Sequence, residues 1–120
     1  MKINKGGSSA LGAGEIESTA TQSGVEGEVS FILDTTEVVS TGLFLTSLVG
    51  FFELSTNTGE YIMAQVVGTT VTAMHVSANA SVTDVALKVC AYRSGNYLDI
   101  KNNTAGTVII TFRYRIAYQG

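Results

Sequence analysis

The chain has 120 residues and 12.6 kDa, with 45% hydrophobic and 14% charged residues, one Cys, one His, no Pro and no Trp. That length makes one domain, and a net charge of -3 with a pI near 4.9 leaves nothing to neutralise a phosphate backbone, so nucleic acid is excluded as a partner. A lone Cys90 excludes a disulfide framework, and Val, Ile, Thr, Phe and Tyr fill more than a third of the chain, a composition suited to pleated sheets.

Met1 to Lys5 carries the charge of a signal n-region, but Gly6-Gly7-Ser8-Ser9 stands where an apolar h-region belongs. No signal peptide is expected, and no apolar run is long enough to insert in a membrane. Residues 1–27 are rich in Gly, Ser, Thr and Ala without a period of 2 or 3.6. They read as an N-terminal arm with linker chemistry, ahead of a β domain at 28–120. Glu15/Glu17 and Glu26/Glu28 place paired carboxylates on one side of an extended chain, a pattern usable by calcium but ordinary in a solvated arm; no metal is assigned.

In the body, Val29, Phe31 and Leu33 alternate as a half-buried strand does. Residues 43–54 are apolar on both parities. Read as one strand, they have two faces to cover, one by the core and one by a partner subunit or the arm, unless Gly50 marks a bulge that switches parity. This places Leu43, Leu45, Val49 and Phe51 at a candidate assembly interface. Asn57-Thr58-Gly59 is a turn, followed by strands at 61–67 and 69–76 and a loop at 77–81. Val85, Leu87, Val89 and Ala91 share the next face. Ser94-Gly95-Asn96 turns the chain, Leu98 and Ile100 point inward, and Asn102 to Gly106 turns it again. The last strand puts Val108, Ile110, Phe112, Tyr114, Ile116 and Tyr118 inward, completing a three-stranded meander. Seven or eight strands in about 90 residues predict an all-β, antiparallel β-sandwich or jelly roll with an extended N-terminal arm.

Charge is segregated. Every acidic residue except Asp99 lies between Gly6 and Leu87, where there is no Lys or Arg. Arg113 and Arg115 project from the last strand and join the candidate interface, paired either with an acidic arm from a neighbouring copy or within the chain. The absence of Pro and scarcity of Lys leave sheet edges without their usual guards, which favours a subunit whose edges are occupied.

No catalytic set is present. A single His75 supplies no pair and no Ser-His-Asp triad, no Cys/His spacing suits zinc, and no cofactor loop occurs. Asn79-Ala80-Ser81 and Asn102-Asn103-Thr104 are formal glycosylation sequons without meaning unless the chain is secreted. Tyr92, Arg93, Asn96, Tyr97 and Asp99 surround one hairpin tip, where aromatic platforms and polar groups form a candidate ligand site of the kind a sugar uses.

The segment YLDIKNNTAGTVIITFRYRIAYQ is similar to the closing strands of small jelly-roll domains in bacteriophage structural proteins, of the capsid-decoration and fibre-knob types. A Gly/Ser-rich arm before a compact β body resembles them as well. The resemblance implies a non-enzymatic virion protein, made in the host cytoplasm, homo-oligomeric and most simply trimeric, attached by its arm to other virion proteins and able to meet a host-surface glycan. A second likeness is to spore-appendage filament subunits that polymerise by donor-arm insertion. Those carry arm cysteines, and this arm has none. A carbohydrate-binding module is the third alternative.

Overall fold

The computed structural model describes residues 4–5 and 25–119. Most of the arm therefore lies outside the described residues, and with it the Glu15/Glu17 pair. The strands are β1 (Asn4–Lys5), β2 (Val25–Leu33), β3 (Val38–Phe44), β4 (Leu48–Thr56), β5 (Tyr61–Val67), β6 (Thr70–Val76), β7 (Ala80–Ser81), β8 (Val89–Ser94), β9 (Tyr97–Asn102) and β10 (Val108–Gln119). They form two five-stranded sheets, the first ordered β1-β3-β9-β8-β7 and the second β2-β10-β4-β5-β6. Among the described residues there is no helix, and the architecture is the expected all-β sandwich.

The core follows from alternation. Val29, Phe31 and Leu33 of β2, Phe52 and Leu54 of β4, Ile62, Ala64 and Val66 of β5, and Val108, Ile110, Phe112, Tyr114 and Ile116 of β10 are buried against Val39, Leu43, Val89, Ala91, Leu98 and Ile100 of the first sheet. Phe52 and Phe112 pack with centroids 5.7 Å apart, and Phe112 stacks on Tyr114 at 6.2 Å. Each such side chain contributes about 1.5–3 kcal/mol by leaving water.

Three local expectations are corrected. Residues 43–54 are not one two-faced strand: β3 ends at Phe44, residues 45–47 turn, and β4 begins at Leu48. Ser47 takes a left-handed φ of 60°, Leu48 N donates to Leu45 O at 3.1 Å, and Leu45 N donates to Asn96 O at 2.7 Å. Leu43 and Leu45 are consequently 3% and 0% exposed, core residues and not interface residues. Gly50 does not switch parity either, since Leu48, Gly50, Phe52 and Leu54 are all buried; the bulge lies opposite, in β10, where Ile116 pairs with Gly50 and Tyr118 with Val49.

The closing meander is also replaced. β8 and β9 form their hairpin in the first sheet, while β10 crosses to the second and pairs with β2 and β4. Asn102, fully buried, holds this corner. Its Nδ2 donates to Leu33 O at 3.0 Å and to Gly106 O at 2.8 Å, and its Oδ1 accepts from Thr104 N at 2.9 Å and Thr104 Oγ1 at 2.6 Å. Its sequon is thus closed to modification in the folded chain.

Third, β8 starts at Val89, so Val85 and Leu87 are exposed loop residues. The loop folds over Cys90, whose Sγ accepts from Val85 N at 3.4 Å and donates to Val85 O at 3.4 Å. Asn103 Nδ2 donates to Asp84 Oδ1 at 2.8 Å, and Lys101 Nζ donates to Asp84 Oδ2 at 3.4 Å. Burial pushes the Cys90 thiol up, which makes it an inert packing residue.

Three of the four sheet edges are guarded by geometry in place of Pro and Lys; the fourth is β2, nine residues long and paired, among the described residues, only with β10. The first sheet ends in two-residue strands, β1 and β7. On the second, β6 carries a bulge: Met63 pairs with His75 and Ala64 with Ala73, leaving Met74 extra. Short edges and bulges both disfavour strand addition.

Candidate functional site: the outer face of the second sheet

The odd-numbered positions of β4 and β5 point away from the core, and the bulge in β10 turns Tyr118 the same way. Register then sets Tyr118, Val49 and Val67 in one row across β10, β4 and β5, with Arg115, Phe51 and Gln65 in the adjacent row. Tyr118 is 57% exposed, Val67 51% and Phe51 45%. Four apolar side chains are therefore contiguous at one end of the sheet, where Gly68 closes the β5–β6 hairpin at φ 59°. Exposed apolar residues scattered singly are ordinary; a contiguous set marks a contact surface.

Beside this patch runs a ladder of charge. Arg113 pairs with Glu28, and Arg115 Nε lies 3.2 Å from Glu26 Oε1. The intrachain pairing is the one observed, because β2 lies antiparallel to β10 with Arg113 opposite Glu28 and Arg115 opposite Glu26. Glu53 stands on the other side of Arg113 and accepts a hydrogen bond from Tyr61 Oη. That bond is the main cause of the raised Tyr61 pKa, and the bond from Arg113 to Glu28 likewise holds the guanidinium proton more firmly. His75, exposed on β6, tilts against Tyr61 at 5.5 Å. A shallow depression of about 120 Å³ lies between Phe51, Glu53, Arg113 and Arg115. At the far end of the sheet Ile32 and Ile109, 50% and 47% exposed, form a cross-strand pair.

Of the six interface residues expected from sequence, Phe51, Arg113, Arg115 and the half-buried Val49 share this face, while Leu43 and Leu45 do not. Val67, Tyr118, Ile32, Ile109, Glu26 and Glu28 are additions. Parity within β5 and β2 was signal enough for Val67, Ile32 and the two glutamates; Tyr118 depends on a bulge that no residue in β10 announces.

The expected ligand cluster is split. Tyr92, Tyr97 and Asp99 lie on the outer face of the first sheet, with Tyr92 opposite Asp99 and Tyr97 edge-on to Phe44 at 5.5 Å. Arg93 has the opposite parity and spends its Nε on Gly95 O at 2.8 Å, and Asn96 is an exposed turn residue. Burial raises the Asp99 pKa above 3.8, against hydrogen bonds from Ser94 and Ser40. An acid whose folded pKa is raised loses stability as pH climbs from its unfolded value through its folded one. Asp99→Asn is therefore expected to melt higher than the native chain at pH 7 and together with it near pH 3, as thermal melts at the two pH values will show.

No family model, no curated protein and no solved structure matches the chain. Among the described residues no three His, Cys, Asp or Glu gather as a metal cluster.

Proposed function

We propose that the protein is a non-enzymatic structural subunit that assembles through the outer face of β2-β10-β4-β5-β6. The row of Tyr118, Val49 and Val67 backed by Phe51 carries this reading. A cover over that row leaves no isolated charge in the dry, because Arg113 and Arg115 already have carboxylate partners within the chain. The resemblance of the closing strands to bacteriophage structural proteins supports a virion role of the decoration or fibre type, as a homo-oligomer of most simply three copies, with the N-terminal residues attaching it to other virion proteins. The nested pairs β2/β10 and β3/β9 are in keeping with a jelly roll, whereas β4-β5-β6 stays in one sheet as a meander.

Removal of residues 1–24, which spares β2, tests the mode of assembly. An oligomer held by the sheet face keeps its number of copies in light scattering after the deletion, which among the described residues removes the two-residue β1 pairing with Ser40 and Val39. Dissociation to monomers on deletion would instead establish the donor-strand filament.

A further inference from the structure

At the end of the sandwich where the β4–β5 turn meets the β9–β10 connection, a cleft of about 290 Å³ is lined by Thr58, Glu60, Asn79, Leu87, Thr104 and Thr107, with Gly106 and Val108. Glu60 is 8% exposed. Its Oε1 accepts from Thr56 Oγ1 at 2.6 Å and from Thr58 Oγ1, while its Oε2 has no hydrogen bond from the described residues. No buried side-chain oxygen is left without a partner among the described residues, so Oε2 is the edge of this mostly buried carboxylate that meets solvent, and it is free to take a donor from a guest.

The lining hydroxyls have their protons committed elsewhere. Thr58 donates to Glu60, Thr104 donates to Asn102 Oδ1 at 2.6 Å or Gly106 O at 3.1 Å, and Thr107 donates to Asp34 Oδ1 at 3.0 Å. Each of these acceptors is a carboxylate or carbonyl oxygen, so the direction of donation is fixed. What the three threonines have left is lone pairs, and Glu60 offers lone pairs and a negative charge. Among the lining side chains only the exposed Asn79 brings a free donor, on an amide that presents either end. No Lys or Arg lines the cleft. A guest met by these side chains must therefore supply donors and carry positive charge. Primary ammonium and guanidinium groups both meet that description; with Oε1 already taken by Thr56 and Thr58, the planar guanidinium fork has only one carboxylate oxygen to meet, which favours the compact ammonium. Leu87, 75% exposed and held at a left-handed φ of 66°, supplies an apolar wall for the alkyl chain behind such a group.

We propose that this cleft binds a primary alkylammonium group, with Glu60 as counter-ion, Thr58, Thr104 and Thr107 as acceptors and Leu87 against the aliphatic stem. The ammonium is that of a lysine side chain on a partner protein or of a free polyamine. The site shares no residue with the assembly face, so either proposal stands without the other.

Titration of the full-length protein with n-butylammonium, followed by NMR of the threonine and leucine methyl groups, tests it. Saturable shifts at Thr58, Thr104, Thr107 and Leu87 are expected in the millimolar range, with no comparable response to 1-butanol. Glu60→Gln, which keeps an oxygen for Thr56 and Thr58, should weaken binding by about tenfold or more through loss of the charge-assisted bond. Should that variant unfold, Leu87→Gly decides: it relieves the left-handed φ, so it should melt no lower than the native chain yet bind several-fold more weakly. Parallel titrations with N-acetyl-lysine amide and putrescine assign the source to whichever binds more tightly. Absence of saturable shifts, an equal response to 1-butanol, or unchanged affinity in a folded Glu60→Gln or Leu87→Gly protein would overturn the assignment.

Discussion

Gly50→Ala is expected to destabilise the protein by about 3 kcal/mol or more, lowering the melting temperature by more than about 10 °C for a domain of this size. A Cβ at position 50 would sit 2.4 Å from the carbonyl oxygen of Arg115 and 3.2 Å from the Cα of Ile116. These are backbone atoms of the paired strand, and no rotamer change can remove them. Relief requires β4 and β10 to part at the centre of the second sheet, beside the bulge that turns Tyr118 outward. Gly59→Ala is the control. Gly59 has φ 93° and no atom within 4 Å of its would-be Cβ, so alanine there meets only left-handed strain of about 1–2 kcal/mol. Equal melting temperatures for the two variants would show that the close approach at Gly50 is not as tight as described.

The second large effect is expected at Asn102. Asn102→Ala removes two donated and two accepted hydrogen bonds from a site with no exposure, taking a donor from the carbonyl of Leu33 and loosening Thr104 and Gly106. A buried polar group left unsatisfied costs about 1–3 kcal/mol, and with more than one group affected a loss of about 3–4 kcal/mol is expected in denaturant titrations. Asn102→Asp separates donor from acceptor. It keeps an oxygen for Thr104 but turns another toward the carbonyls of Leu33 and Gly106, so its folded pKa is raised and its stability falls as pH rises. Partial recovery on acidification is expected for Asp and none for Ala. If both variants unfold alike at every pH, the corner does not depend on the Nδ2 donors.

Much of the fold was legible in the sequence because alternation reports burial directly. Val29, Phe31 and Leu33, the run from Val108 to Ile116, and the hairpins at Gly68 and Gly95 were all readable from period and turn chemistry. What stayed hidden was decided at long range. The turn at Leu45-Thr46-Ser47 contains no Gly, Asn, Asp or Pro, and it is held by Asn96 from a distant hairpin. The spacing Asn102 to Gly106 suits a hairpin loop; only the reach of Asn102 to Leu33 sends β10 to the other sheet. Val85 and Leu87 extend the period of β8 in sequence, but Cys90 and Asn103 hold that segment as a loop. At the assembly face, Phe51, Arg113 and Arg115 were readable from parity, and the choice of Glu26 and Glu28 as partners follows from the pairing of β2 with β10. The cleft was not readable, since its walls come from four connections whose meeting no local pattern encodes.

The reading as an assembly subunit is tested most directly by light scattering on the full chain beside the double variant Phe51→Glu, Val67→Glu. The account predicts a native mass that is a multiple of 12.6 kDa, and a variant reduced to the single-chain mass that still unfolds cooperatively, lower in melting temperature only by what association contributes, because both side chains are about half exposed in the single chain and their replacement disturbs no core contact. A native chain that stays at the single-chain mass at high concentration, or an oligomer indifferent to two carboxylates within that apolar patch, would contradict it.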